Sequence, residues 1–85
     1  MFYYTYVLQS LIDKKLYIEW TVNLKNRLNQ HNLGKVNATK YRRPLELIYF
    51  EGCKTKEKAI LREKSLKTGF GRRYLKNRIA REVLV

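Results

Sequence analysis

Phe2-Tyr3-Tyr4-Thr5-Tyr6-Val7-Leu8-Gln9, then Asp13-Lys14-Lys15, then Leu16-Tyr17-Ile18-Glu19-Trp20 is the stretch that decides the fold of this 85-residue chain. Both flanks are rich in Tyr, Val, Ile and Trp, which suit a pleated, half-buried surface, and the polar triplet between them has the composition of a turn. The spacing predicts an antiparallel hairpin, with strands over residues 2–9 and 15–20. Period-two alternation puts Tyr4 and Tyr6 on one face of the first strand, Tyr3 on the other, and Tyr17 in the partner strand across from them. Taken singly, a strand tyrosine commonly packs at a sheet surface with its hydroxyl wet.

Outward from the hairpin, Thr21 sits where a helix N-cap is expected, Val22 to Asn32 has helical spacing, and Gly34 supplies the stop. Residues 35–44 form a polar basic loop, closed by Pro44, which restricts Arg43 to extended geometry. Leu45 to Glu51 predicts a third strand. Thr55 caps a second helix through Lys67, ended by Gly69; Gly71 introduces a third, from Arg72 to Leu84, with Leu75, Ile79 and Val83 four apart. The order β-β-α-β-α-α predicts an α+β fold, a small three-stranded antiparallel sheet flanked by helices, as a single domain over residues 1–85.

Lys and Arg number 19 against 7 Asp and Glu, a formal charge of +12. That sign and size attract polyanions. Hydrophobic residues make up 45% of the chain, with one Pro and four Gly, which excludes a disordered basic tail. One Cys, Cys53, excludes an intramolecular disulfide and a multi-cysteine metal cage, and with a single His it argues against a structural zinc site of protein ligands. Cys53 is expected to be a small buried or edge residue. The apolar N-terminus has neither a basic n-region nor a small-residue cleavage site, and no apolar run reaches membrane-spanning length, so a cytoplasmic protein without a membrane partner is expected. Eleven of the nineteen basic residues lie in residues 54–85, beside only Glu57, Glu63 and Glu82. The C-terminal helices and the basic loop are therefore the expected phosphate-facing surface, with Lys40, Arg42, Arg43, Lys67, Arg72 and Arg73 as candidate contacts.

Two polar residues fall on apolar helix faces. With Ala59 at 0°, Glu63 lies at about 40° and Leu66 at about 340°, so the carboxylate is in the stripe that faces the sheet. Such a group needs a partner: an ion pair with an arginine, a helix turned so that it reaches the core edge, or a divalent cation, since Mg²⁺ often takes one protein carboxylate and keeps water and phosphate oxygens for its other positions. His31 repeats the pattern on the first helix, with Arg27 one turn before it. A lone His there is commonly a hydrogen-bonded core residue; beside Arg27 for phosphate, Glu63 for metal and a face of tyrosines, it completes a set suited to metal-assisted phosphodiester hydrolysis. A phenol is a poor base at neutral pH unless a cation lowers its pKa.

Tyr4-Thr5-Tyr6-Val7-Leu8-Gln9-Ser10, Leu16-Tyr17-Ile18-Glu19-Trp20-Thr21, Asn23-Leu24-Lys25-Asn26-Arg27-Leu28 with His31-Asn32 and Gly34-Lys35, Thr39 to Pro44, and Ala59 to Lys67 together resemble the GIY-YIG nuclease superfamily, in its small stand-alone bacterial branch. The likeness runs from about residue 2 to residue 75. It implies one-metal hydrolysis of nucleic-acid phosphodiesters, with DNA as the expected substrate and Mg²⁺ or Mn²⁺ as cofactor. It also implies catalytic roles for Tyr6 and Tyr17 in water activation, Arg27 on the scissile phosphate and His31 in proton transfer, with Glu63 as the metal ligand; a late Asn of some members corresponds loosely to Asn77. One departure stands out: Glu19 replaces the glycine of the second triplet. The substituted carboxylate could weaken phosphate binding, add a cation ligand or point away. A noncatalytic nucleic-acid-binding module, its site impaired by Glu19, is the alternative, and a basic protein held by ribosomal RNA a third.

Overall fold

The computed structural model describes residues 1–79. Its elements are β1 (Tyr3–Ser10), β2 (Leu16–Thr21), α1 (Leu24–Asn32), β3 (Leu45–Cys53), α2 (Lys56–Leu66) and α3 (Gly69–Arg78). The three strands form one antiparallel sheet in the order β2-β1-β3, the α+β arrangement expected from the sequence. The central strand is covered on both faces, and its residues from Thr5 to Ser10 are all buried. Tyr6 and Leu8 pack with Leu45, Tyr17, Leu24, Leu28 and Leu47 on the α1 side. Val7 packs with Leu66, Leu75 and Ile79 on the α2–α3 side. Alternation along β1 thus serves two small cores, and Tyr6 belongs to one of them.

Ser10 makes the hairpin close. Its amide donates to the Lys15 carbonyl at 3.0 Å, and its hydroxyl oxygen accepts from the amides of Ile12 and Asp13. The same hydroxyl donates to the Arg42 carbonyl at 2.8 Å, tying the hairpin to the basic loop. Asn32 does similar work at the other end of that loop. Its amide nitrogen donates to the Leu45 carbonyl at 3.0 Å and its amide oxygen accepts from the Leu45 N–H at 2.9 Å, so one side chain pairs with the start of β3 as a strand would.

Helix boundaries differ from expectation in three places. The N-cap of α1 is Asn23, whose side chain accepts from the Asn26 amide, and Thr21 instead ends β2 with its hydroxyl accepting from Asn23 N–H. Both residues are good caps, and pairing of Thr21 with Tyr4 in the ladder takes it out of competition. Gly69 does not end α2: Thr68 caps α3 there, accepting from the Gly71 amide. Gly71 lies inside α3, where a Cβ would come within 2.2 Å of the Ser65 carbonyl oxygen and 2.4 Å of Leu66 Cα. The glycine is therefore a contact point between two helices and not a helix starter. Gly34 does terminate α1, at φ +79°, with the Arg43 guanidinium packed over it. Val83 and Leu84, expected to extend the third helix, lie outside the described residues. Cys53 is half-buried at the end of β3. No helix among the described residues is long and apolar enough to cross a membrane.

Candidate active site

Tyr6 and Glu19 are direct partners across β1 and β2. They and Tyr17 share the face covered by α1, whose Arg27 and His31 point to the same spot one turn apart. All four residues expected to be catalytic converge there on the Glu19 carboxylate. Tyr6 donates its hydroxyl proton to Oε1, and Tyr17 donates to Oε2 at 3.1 Å. Arg27 grips both oxygens, Nε to Oε1 at 2.9 Å and Nη2 to Oε2 at 3.1 Å, with its Nη1 donating to Gln30. His31 is fully buried; its Nε2 lies 2.9 Å from the Tyr6 hydroxyl and its Nδ1 2.7 Å from the Thr39 hydroxyl. Because the Tyr6 proton goes to Glu19, the network closes when His31 Nε2–H donates to Tyr6 and Thr39 donates to Nδ1.

This arrangement fixes the electrostatics. Burial works against the charge on Glu19, but the His31 ring, with Nε2 3.8 Å from Oε1, and the hydrogen bonds from Arg27 and Tyr6 outweigh it and hold the carboxyl well below its usual range. Burial and the Glu19 charge push the Tyr17 phenol up to about 12, and burial and the Glu19 hydrogen bond push Tyr6 higher still. Neither tyrosine is a base in this state. Both are donors. Asp13 and Glu51 also have lowered carboxyls, Asp13 first through its bond from the Lys15 amide, and Glu51, despite burial, through Arg62. Each such group binds a proton more readily unfolded than folded, so its stabilisation is complete above the usual value near 4.5 and is lost as pH falls below it. Melting temperature is therefore expected to fall in acid below about pH 4.5, less steeply in Glu19→Gln. Parallel melting profiles for the two proteins would show that Glu19 is not held this way.

Glu63 lies at the edge of the α2 stripe. Its side chain is 20% exposed and accepts from Lys67 at 3.0 Å, the residue one turn on. Of the partners open to Glu63, the structure shows an ion pair, made with Lys67 at the C-cap of α2 and not with an arginine; Arg62 pairs with Glu51. The Glu63 charge reaches Tyr17. Beside Tyr17 is a cleft of about 300 Å³ lined by Lys15, Arg42, Lys67 and Arg72 with Leu16 and Ile18. Three of the six expected phosphate contacts meet there. The others do not: Lys40 and Arg43 flank a separate depression with Tyr41, and Arg73 lies over the Phe70 ring.

Lys15, where the hairpin turn meets β2, and Thr39, in the basic loop, have no role that the sequence pattern alone suggests. Glu19 was the recoverable case, since i, i+2 spacing from Tyr17 puts it on the tyrosine face. Among the described residues, no three His, Cys, Asp or Glu side chains gather into a metal cage.

A family model described as the GIY-YIG catalytic domain matches residues 2–78. A UPF0213 protein of Syntrophus aciditrophicus is 42% identical over 66 residues, covering 75% of each chain. A UPF0213 protein of Streptococcus pyogenes serotype M3 is 46% identical over 61 residues, covering 71% of this chain and 65% of its own length. Among solved structures, the solution NMR structure of a UPF0213 protein from Bacillus halodurans matches with a TM-score of 0.55 and 25% identity, over 91% of this chain and 84% of that one.

Proposed function

From a chain that belongs to the GIY-YIG catalytic domain family, we propose an endonuclease that hydrolyses DNA phosphodiester bonds with one divalent cation, Mg²⁺ or Mn²⁺. The observation that carries this is the convergence of Tyr6, Tyr17, Arg27 and His31 on one anion position. A guanidinium fork that fits a carboxylate also fits two oxygens of a phosphate. With the scissile phosphate in place of the Glu19 carboxylate, Arg27 would stabilise the charge that builds on it. Tyr6 and Tyr17, freed from the Glu19 charge, would orient the attacking water. With Glu19 displaced and His31 in its other tautomer, Nδ1–H donating to the Thr39 hydroxyl, Nε2 would accept from the Tyr6 hydroxyl and take up the proton that Tyr6 relays from the attacking water.

Glu63 offers one hard oxygen donor beside Tyr17 and the basic cleft, a donor set that fits Mg²⁺ or Mn²⁺ completed by water and substrate phosphate. Lys67 would have to release it. A cation held there contributes Lewis-acid stabilisation and a lowered water pKa.

A noncatalytic nucleic-acid-binding module is the second hypothesis, favoured by Glu19 itself, which occupies the phosphate position in the resting chain. Supercoiled-plasmid nicking at low salt with Mg²⁺, Mn²⁺ or EDTA separates the two. A nuclease gives nicking that EDTA stops and that Glu63→Ala reduces to the EDTA background, with gel-shift affinity within about twofold of the parent. Cleavage retained in Glu63→Ala would remove the metal-ligand assignment. Binding without nicking, in both the parent and Glu19→Gly, would establish the binding module.

A further inference from the structure

The sheet face that carries Tyr6 continues away from Glu19 into an aromatic groove that the chemistry above does not use. Phe50 on β3 is the direct partner of Tyr6 on its other side, so Glu19, Tyr6 and Phe50 form one row across the sheet. In the next row Tyr4 faces Gly52, over which the Tyr4 and Phe2 rings pack. The Tyr4 and Phe50 rings meet edge to face at 6.1 Å, and Phe2 extends the group with its ring 6.4 Å from Tyr4. Phe50 is 51% exposed and Phe2 45% exposed. Between these rings and the first turns of α1 is a groove of about 540 Å³, lined by Tyr4, Leu24, Leu28, Leu47 and Phe50 with Lys25. Lys54 stands 4.8 Å over the Phe2 ring.

An exposed aromatic groove next to a candidate catalytic cluster needs an occupant, and charge selects among them. The described lining carries Lys25 and no carboxylate. A second copy of this chain would bring another +12 to the contact, whereas a nucleic acid brings the opposite charge and flat apolar rings together. Proteins that hold single strands combine a basic groove with aromatic side chains on which bases stack. A paired base within a duplex is already stacked on its neighbours, so the groove suits a base that is unpaired.

We propose that the groove formed by Tyr4, Phe50 and the start of α1 seats an unpaired nucleobase adjoining the phosphate held at Arg27, making nucleic acid with single-stranded nucleotides the substrate class of this site. The inference rests on nucleic-acid binding at the cluster, and not on catalysis. It is tested with the full chain in EDTA at low salt, by fluorescence anisotropy of a short oligothymidylate and of an abasic chain of the same length. The parent is expected to bind the oligothymidylate on the order of tenfold more tightly, the scale of one stacked base. Phe50→Leu, which keeps apolar bulk at an exposed position, is expected to lose that preference with abasic affinity unchanged. Phe50→Trp is expected to keep it, and Phe2→Leu to weaken it in part.

Equal binding of the two probes by the parent would overturn the proposal, as would equal weakening of both by Phe50→Leu. Concentration-dependent dimerisation abolished by Phe50→Leu would assign the groove to a second copy. Failure to bind either probe would overturn both this inference and the nucleic-acid reading beneath it. Plasmid nicking without preference for the base-bearing probe would overturn this inference alone.

Discussion

Glu19→Gly is expected to raise metal-dependent nicking of supercoiled DNA by roughly 10²-fold, the scale on which one preorganised charge-stabilising donor acts. In the resting chain both donors that Arg27 presents to a ligand are spent on the Glu19 carboxylate. Substrate phosphate must displace a hydrogen-bonded, partly desolvated anion from its own seat. Removing the carboxylate restores the glycine of the second triplet, frees the fork and takes away the charge that adds to burial in raising both phenols.

The same change lowers stability. Glu19 is 25% exposed and Arg27 31%, so the lost charge-assisted bonds cost about 1–3 kcal/mol, a drop of several degrees in melting temperature for a domain of this size. Opposite movement of activity and stability is the signature expected of a carboxylate that occupies the site. Glu19→Gln, which keeps the shape and drops the charge, is expected to fall between. Nicking unchanged in both variants would show that Glu19 does not hold Arg27 from the substrate.

Gly71→Ala is expected to destabilise the fold by about 3 kcal/mol or more, lowering the melting temperature by about 15 °C. The added methyl would meet the Ser65 carbonyl and Leu66 backbone at 2.2–2.6 Å. Backbone cannot swing aside as a side-chain tip can, so α3 would have to move off α2. Leu66 and Leu75, both fully buried in the core beneath the contact, would separate with it. Gly69→Ala is the control, since no atom beyond its chain neighbours and its own helix backbone lies within 4 Å of the Cβ it adds; its expected effect is within about 0.5 kcal/mol. Thermal melts that place the two variants together would show that the α2–α3 approach is looser than described.

The strands were legible because their residue types and alternation suit a pleated, half-buried surface; that β1 is central, with Tyr6, Val7 and Leu8 all buried, emerges only in the folded sheet. Helix ends were less legible. Thr21 and Asn23 are equivalent caps in isolation, and the ladder partner of Thr21 decides between them. Gly69 and Gly71 look alike as helix punctuation, while their roles depend on how near a second helix comes. At the site, Arg27 and His31 could be placed on one face of α1 by spacing alone. That both would turn to Glu19 depends on the pairing register of β1 with β2, which no local pattern in the chain reveals. The basic residues were hardest. Arg42, Lys67 and Arg72 come from three separate segments and meet Lys15 only in the folded molecule.

The paired hydrogen bonds from Asn32 to Leu45 have a consequence for how this chain can be altered. They join the two ends of residues 33–44 independently of the path between them. Lengthening a loop whose ends are already pinned costs only a slowly growing entropy. Tyr41 in this loop is 84% exposed, whereas Thr39 supports His31 and the Arg42 carbonyl accepts from the Ser10 hydroxyl. An inserted peptide at residues 40–41 would therefore leave α1 and β3 in register, which makes that bend a natural graft point for a recognition arm beside the depression that Lys40, Tyr41 and Arg43 line.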